Sequence, residues 1–249
     1  MRKSFFTSAL VLGVAFGCVQ TVSASGMEDA KKEYDEVMSL SSDLENGKRV
    51  YLTCAVCHRP EGWGTREGTY PQIAGQLRTV IIKQLADIRS RNRVNPIMYP
   101  FAVPRILGGA QEIADVAAYI SQLPMTPDNG VGPGRDLALG EKLYAENCVE
   151  CHGKQGEGDE QEHIPALWGQ HYRYLTRQFE EIKVGKRRNA DQEMRKQIKR
   201  FSGRDIRAVM DYTSRLRPPK EKLAENPGWH NPDFPNYVRP PAPTLPPRL

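Results

Sequence analysis

The sequence predicts an all-α protein built as two tandem domains, and three observations carry that expectation. One five-residue pattern occurs twice, as Cys54-Ala55-Val56-Cys57-His58 and as Cys148-Val149-Glu150-Cys151-His152. Apolar residues recur at helical spacing: Ile113, Val116, Ala117 and Ile120 stand at i, i+3, i+4 and i+7, and Ile206, Val209 and Met210 repeat the pattern. Matching residues lie about 94 positions apart over much of the length, which marks a duplication rather than two unrelated units.

The repeated pattern carries the chemistry. Cys-x-x-Cys-His attaches c-type haem: each thiol adds across one haem vinyl group, and the adjacent imidazole reaches the iron. A zinc site would need two further ligands at matched spacing, and a redox dithiol would need a βαβ setting; neither context is visible. The expectation is two covalent haem c groups, one held by Cys54 and Cys57 with His58 on the iron, the other by Cys148 and Cys151 with His152. A unit of about eighty residues buries only a modest core, so the bound group also supplies apolar surface to the fold.

In chain order, residues 1–24 read as a signal peptide. Arg2 and Lys3 form its basic start, Ala9 to Phe16 its apolar stretch, and Val22-Ser23-Ala24 its cleavage site, so the mature chain is expected in the periplasm. A lipoprotein with Cys18 as the lipidated residue is the competing reading, although Ala15-Phe16-Gly17 matches its usual Leu-rich approach poorly. With residues 1–24 removed, the four motif cysteines are all that remain, and haem attachment uses every one.

Residues 25–42 form an N-terminal extension, a short helix or loosely held arm with Tyr34, Val37, Met38 and Leu40 at roughly helical spacing. The first domain spans 43–123. Asp43 can cap a helix carrying Gly47 and Tyr51 into the first motif, a Gly-rich loop follows, and Leu77, Ile81, Leu85 and Ile88 stripe a second helix. Pro96 and Pro100 break regular structure around Met98, and the last helix ends at Pro124. Residues 124–135 are a linker rich in Pro and Gly. The second domain, 136–216, repeats the parts in order: Gly140 and Tyr144 answer Gly47 and Tyr51, and Leu175, Phe179 and Ile182 answer Ile81, Leu85 and Ile88. Residues 217–249 are a proline-dense tail, expected to be extended or disordered, in which Trp229, Phe234 and Tyr237 could pin part of it against the domains or a partner.

Charge is distributed unevenly although the net is only +5. Acidic residues gather in the extension, whereas Lys183, Lys186, Arg187, Arg188, Arg195, Lys196, Lys199, Arg200, Arg204 and Arg207 crowd the second half. Such a run reads as a solvated helical face, or as a surface steering an acidic partner toward a redox centre. Nucleic acid is not expected as a partner of an exported haem protein.

The ligand opposite histidine separates a carrier from a catalyst, because methionine completes the iron site and raises its potential while an open position admits small ligands. Met98 and Met194 stand at nearly equal distances after His58 and His152, off the apolar stripes, and are the candidates. Met210 lies on a stripe and reads as core. His163, His171 and His230 are the rival ligands, of which His163 and His171 have no counterpart in the first repeat.

With both motifs, both methionines and the repeat in hand, the chain resembles the dihaem cytochrome c4 family. The likeness covers about residues 43–216 and includes the Pro-x-x-x-Gly-Gln segments at Pro71 and Pro165 and the helix ends at Tyr119 and Tyr212. The resemblance implies two tandem class I cytochrome c domains, each wrapped around one covalent haem, whose first and last helices cross near the paired Gly and Tyr positions. It also implies that the backbone carbonyls of Pro71 and Pro165 accept the Nδ1 protons of His58 and His152. The function implied is periplasmic electron transfer, one electron per haem and no bond made or broken. Its partners would be redox proteins: a quinol-cytochrome c reductase, a terminal oxidase or a periplasmic dehydrogenase, with docking to a membrane complex included. The alternative is a dihaem subunit of, or an enzyme for, the oxidation of inorganic sulfur compounds. The lack of a spare cysteine counts against the thiosulfate-oxidising kind that uses a cysteine ligand.

Overall fold

The structure is a computed structural model and describes residues 18–237, with side chains from residue 25. The expected leader, its basic start and its apolar stretch lie for the most part outside the described residues. Among the described residues eleven α-helices run in the order α1 (Cys18–Met38), α2 (Leu44–His58), α3 (Arg78–Arg89), α4 (Tyr99–Ala102), α5 (Pro104–Leu107), α6 (Ala110–Gln122), α7 (Leu137–Asn147), α8 (Val149–His152), α9 (Tyr172–Lys183), α10 (Gln192–Ile198) and α11 (Gly203–Thr213). Among the described residues the only β pairing consists of isolated bridges, Met125 with Leu223 and Asp159 with Ile164. No described helix is long and apolar enough to cross a membrane.

Two crossings organise the helices, α2 over α6 and α7 over α11. Both require glycine, because a Cβ on Gly47 would stand 2.3 Å from the Asp115 carbonyl oxygen and one on Gly140 would stand 2.2 Å from that of Ala208. Beside each crossing a tyrosine pair packs, Tyr51 on Tyr119 with centroids 5.3 Å apart and Tyr144 on Tyr212 at 5.6 Å. Ile113, Val116, Ala117 and Ile120 are buried in the first core, and Ile206, Val209 and Met210 in the second, as their spacing requires. Asp43 caps α2 by accepting from the amides of Glu45 and Asn46 at 2.9 and 3.1 Å.

Three segments are more ordered than their composition suggests. The extension is helix α1, not a loose arm: Val37 is fully buried, Glu33 pairs with Arg89 of α3, and the Tyr34 hydroxyl meets His163 Nδ1 at 3.2 Å. The prolines after Met98 do not prevent helix, because Pro100 and Pro104 sit in the first turns of α4 and α5, where no amide donor is needed. The tail folds back onto the first repeat through residue 237. Phe234 enters the first core edge-on to Tyr51, Asn231 donates to the Pro60 carbonyl at 2.8 Å, Trp229 packs on Trp63, and the Tyr237 hydroxyl donates to the Ala55 carbonyl at 3.3 Å.

Candidate functional site

Each Cys-x-x-Cys-His pattern ends a helix whose final histidine is buried. Cys54 and Cys57 lie one turn apart on α2 and share a face. In the second repeat the backbone breaks at Cys148, φ −123° and ψ −32°, so that α7 ends before the motif and α8 carries Cys151 and His152. A tyrosine locks the turn after each histidine: Tyr51 donates to the Arg59 carbonyl and Tyr144 to the Gly153 carbonyl, both at 2.8 Å. The loop that follows doubles back as the Gly64 amide donates to the His58 carbonyl at 2.9 Å and the Gly158 amide to that of His152 at 3.0 Å. Gly64 and Gly158 hold φ of 65° and 71°, and a Cβ on either would meet backbone of the Tyr70–Pro71 or Ile164–Ala166 segment within 2.4 Å.

These loops bring the Pro71 and Pro165 carbonyls to the imidazoles. His58 Nδ1 lies 3.0 Å from Pro71 O and His152 Nδ1 lies 3.1 Å from Pro165 O. A carbonyl only accepts, so each Nδ1 carries the proton and each Nε2 keeps its lone pair. Burial lowers the pKa of both rings, against the opposing effect of the bond to proline, and favours the neutral imidazole that a metal binds. The four motif cysteines form no disulfide, and burial pushes the Cys54 and Cys148 thiols each up to about 12. Among the described residues no group of three or more His, Cys, Asp and Glu stands together as a metal cage. Two thiols beside one oriented imidazole fit a covalently attached haem and give a zinc site too few donors.

Met98 and Met194 are both half-buried, in contrast to Met125 and Met210, which belong to the second core. Met98 caps α4, and its amide donates to Asn95 Oδ1 at 3.2 Å. Met194 lies in the first turn of α10, where its amide donates to the N-cap Asp191 at 3.0 Å, and its side chain packs on the second core. The rival histidines are engaged elsewhere. His171 is buried with Nδ1 accepting from the Gly130 amide at 3.0 Å and Nε2 donating to the Trp63 carbonyl at 2.7 Å; His163 meets Tyr34, and His230 faces Glu61 at 3.5 Å.

The basic run proves to be divided. Arg187 is not part of a solvated face: its guanidinium donates to Gln178 at 3.0 Å and to Gln84 of the first repeat at 3.1 Å, beside Arg93, which donates to the same two glutamines at 2.8 Å. Burial lowers its pKa to about 10, with Arg93 acting in the same direction, and it remains charged at neutral pH. Lys183 donates to the Phe201 carbonyl, Lys186 pairs with Glu181, Lys196 with Glu193 and Arg204 with Asp136. The sequence gives no role to three of the polar residues joining the repeats, Gln72, Gln76 and Gln170, and offers the fourth, His171, only as a rival ligand. Their one signal was the recurrence of glutamine at the end of both Pro-x-x-x-Gly-Gln segments.

Comparison with known proteins gives concordant results. The cytochrome c family model matches residues 44–124 and again 137–216. The chain is 34% identical to a cytochrome c4 of Thiocapsa roseopersicina over 66% of this chain and 86% of that protein. It is 30% identical to a thiosulfate dehydrogenase electron acceptor of Stutzerimonas stutzeri over 71% of this chain and 88% of that protein. The crystal structure of reduced recombinant cytochrome c4 from Pseudomonas stutzeri superposes with a TM-score of 0.61 at 27% identity, covering 71% of this chain and all of that one.

Proposed function

The chain belongs to the cytochrome c family, as a dihaem electron carrier of the cytochrome c4 type with two covalent haem c groups, and from that premise we propose how its residues divide the work. Cys54 and Cys57 hold one haem and Cys148 and Cys151 the other, within units spanning residues 43–123 and 136–216. His58 and His152 would each ligate one iron, and Met98 and Met194 would supply the remaining ligand of the two sites. The haem supplies the one-electron couple. The protein supplies everything that keeps the ligand set unchanged between oxidation states. Nδ1 donation to Pro71 and Pro165 fixes tautomer and ring orientation. Thioether ligation favours the ferrous state and leaves no position open for substrate. The observation that carries this reading is the pair of matched imidazole-to-proline bonds, 3.0 and 3.1 Å, each directly after a free Cys-x-x-Cys pair.

The carrier operates in the periplasm after cleavage near Ala24, exchanging electrons with redox proteins. A periplasmic dehydrogenase for inorganic sulfur compounds is the proposed donor, supported by the Stutzerimonas stutzeri relative described as the electron acceptor of thiosulfate dehydrogenase. A quinol-cytochrome c reductase and a terminal oxidase are the other partner classes. The ferric absorption spectrum, recorded with and without cyanide, tests carrier against catalyst. Two methionine-to-iron charge-transfer contributions that resist cyanide are expected. Rapid cyanide binding at either iron would mean an open site and an enzyme.

A further inference from the structure

The glutamine that ends each Pro-x-x-x-Gly-Gln segment reaches across to the other segment. Gln72 N–H donates to Gln170 Oε1 at 3.1 Å, and Gln170 Nε2 donates back to Gln72 O at 2.8 Å. Gln76 repeats the pattern in the opposite direction: Ala166 N–H donates to Gln76 Oε1 at 3.0 Å, and Gln76 Nε2 donates to Ala166 O at 3.0 Å. Gln72 and Ala166 are the residues after Pro71 and Pro165. The N–H held by each glutamine and the carbonyl that accepts each imidazole proton therefore belong to the same peptide unit.

Two hydrogen-bond chains result, each beginning in one repeat and ending on the proximal imidazole of the other. One runs from Gln170 Oε1 through the Pro71–Gln72 peptide to His58 Nδ1; the other runs from Gln76 Oε1 through the Pro165–Ala166 peptide to His152 Nδ1. The orientation of both amides is determined, because each Oε1 also accepts the amide of the next residue, Leu77 or His171, at 3.0 Å. Turned the other way, each NH2 would face two donors. Gln72 and Gln170 are buried, so the first chain is largely shielded from water.

Bonds in series polarise one another, each strengthening its neighbour by roughly 10–30%. An amide whose N–H is accepted carries more negative charge on its oxygen, and a stronger acceptor at Nδ1 makes the imidazole a more basic ligand at Nε2. A more basic ligand favours ferric iron. We propose that Gln170 and Gln76 are crossed positioning residues, each tuning the proximal histidine, and hence the potential, of the haem in the opposite repeat. This rests on the haem assignment above.

Gln170→Leu and Gln76→Leu, made in the full mature protein, test the crossing. Gln170→Leu should raise the potential of the first-repeat haem and move the His58 Nδ1 proton upfield in the NMR spectrum of the ferrous protein, with His152 unmoved. Gln76→Leu should do the converse. Gln170→Glu, held as the neutral acid in its buried site, keeps an oxygen facing the Gln72 amide and an O–H facing the Gln72 carbonyl and should restore the His58 signal, which a general loosening of the interface would not permit. Shifts confined to the haem of the mutated repeat, equal shifts at both haems, or no shift would overturn the proposal. A wild-type chain without two covalent haems would instead overturn the assignment beneath it, and its mass shows this before any variant is made.

Discussion

At the scale of single residues, each proposed iron site rests on a histidine with no freedom of tautomer, and its proposed second ligand is a half-buried methionine. The Nδ1–H to carbonyl bond fixes His58 and His152, whereas Met98 and Met194 are half-buried, the amide of each donates to Asn95 or Asp191, and the Met194 side chain packs on the second core. Met98→Ala and Met194→Ala are each expected to open one iron to cyanide and to lower that haem's potential, since the thioether favours the ferrous state. Visible spectroscopy with potentiometry checks this; an unaltered spectrum in either variant identifies the wrong residue. The cysteines and histidines were legible because attachment chemistry dictates their spacing. Gln170 and Arg187 were not, because a side chain that bonds across repeats leaves no periodicity in the local sequence. Arg187 looked like one more charge in a basic run and is a bridge to Gln84.

Among the elements, the two helix crossings set the shape of each haem-binding unit, and both rest on a missing Cβ. Alanine has the higher helix propensity, by about 1 kcal/mol over glycine, so on local grounds Gly47→Ala and Gly140→Ala should stabilise α2 and α7. Contact with a backbone carbonyl at 2.2–2.3 Å outweighs this. Overpacking of this kind costs roughly 1–3 kcal/mol and more where backbone must move. Each variant is therefore expected to be less stable in denaturant unfolding, and a gain in stability would show that the helices separate at no cost. These crossings were readable in advance only through the family resemblance, which places them at the paired Gly and Tyr positions. The tail was less readable, because its proline-dense composition carries no apolar stripe; its order comes from three aromatic residues and Asn231 finding sites on the first repeat.

The whole molecule is two haem-binding units sharing a buried polar seam, and His171 makes that seam sensitive to acid. Burial depresses its pKa; the Trp63 carbonyl and Glu67 oppose the shift, and Arg59 and Arg66 add to it. The unfolded chain then binds more protons than the folded one once pH falls below the ordinary histidine value of about 6.5. Stability is complete above that pH and declines below it, because a protonated ring can no longer accept from the Gly130 amide. His171→Gln should flatten this decline in unfolding curves measured from pH 7 to 5, whereas an unchanged slope would place the acid sensitivity elsewhere. The duplication itself was plain from the 94-residue spacing, but the seam was not, since it depends on how the copies face each other. The central claim is that each copy attaches its own haem, and the intact mass of the exported protein under denaturing conditions tests it most directly. The expected mass is that of the mature polypeptide plus two haems; a mass corresponding to one haem or none would rule this out.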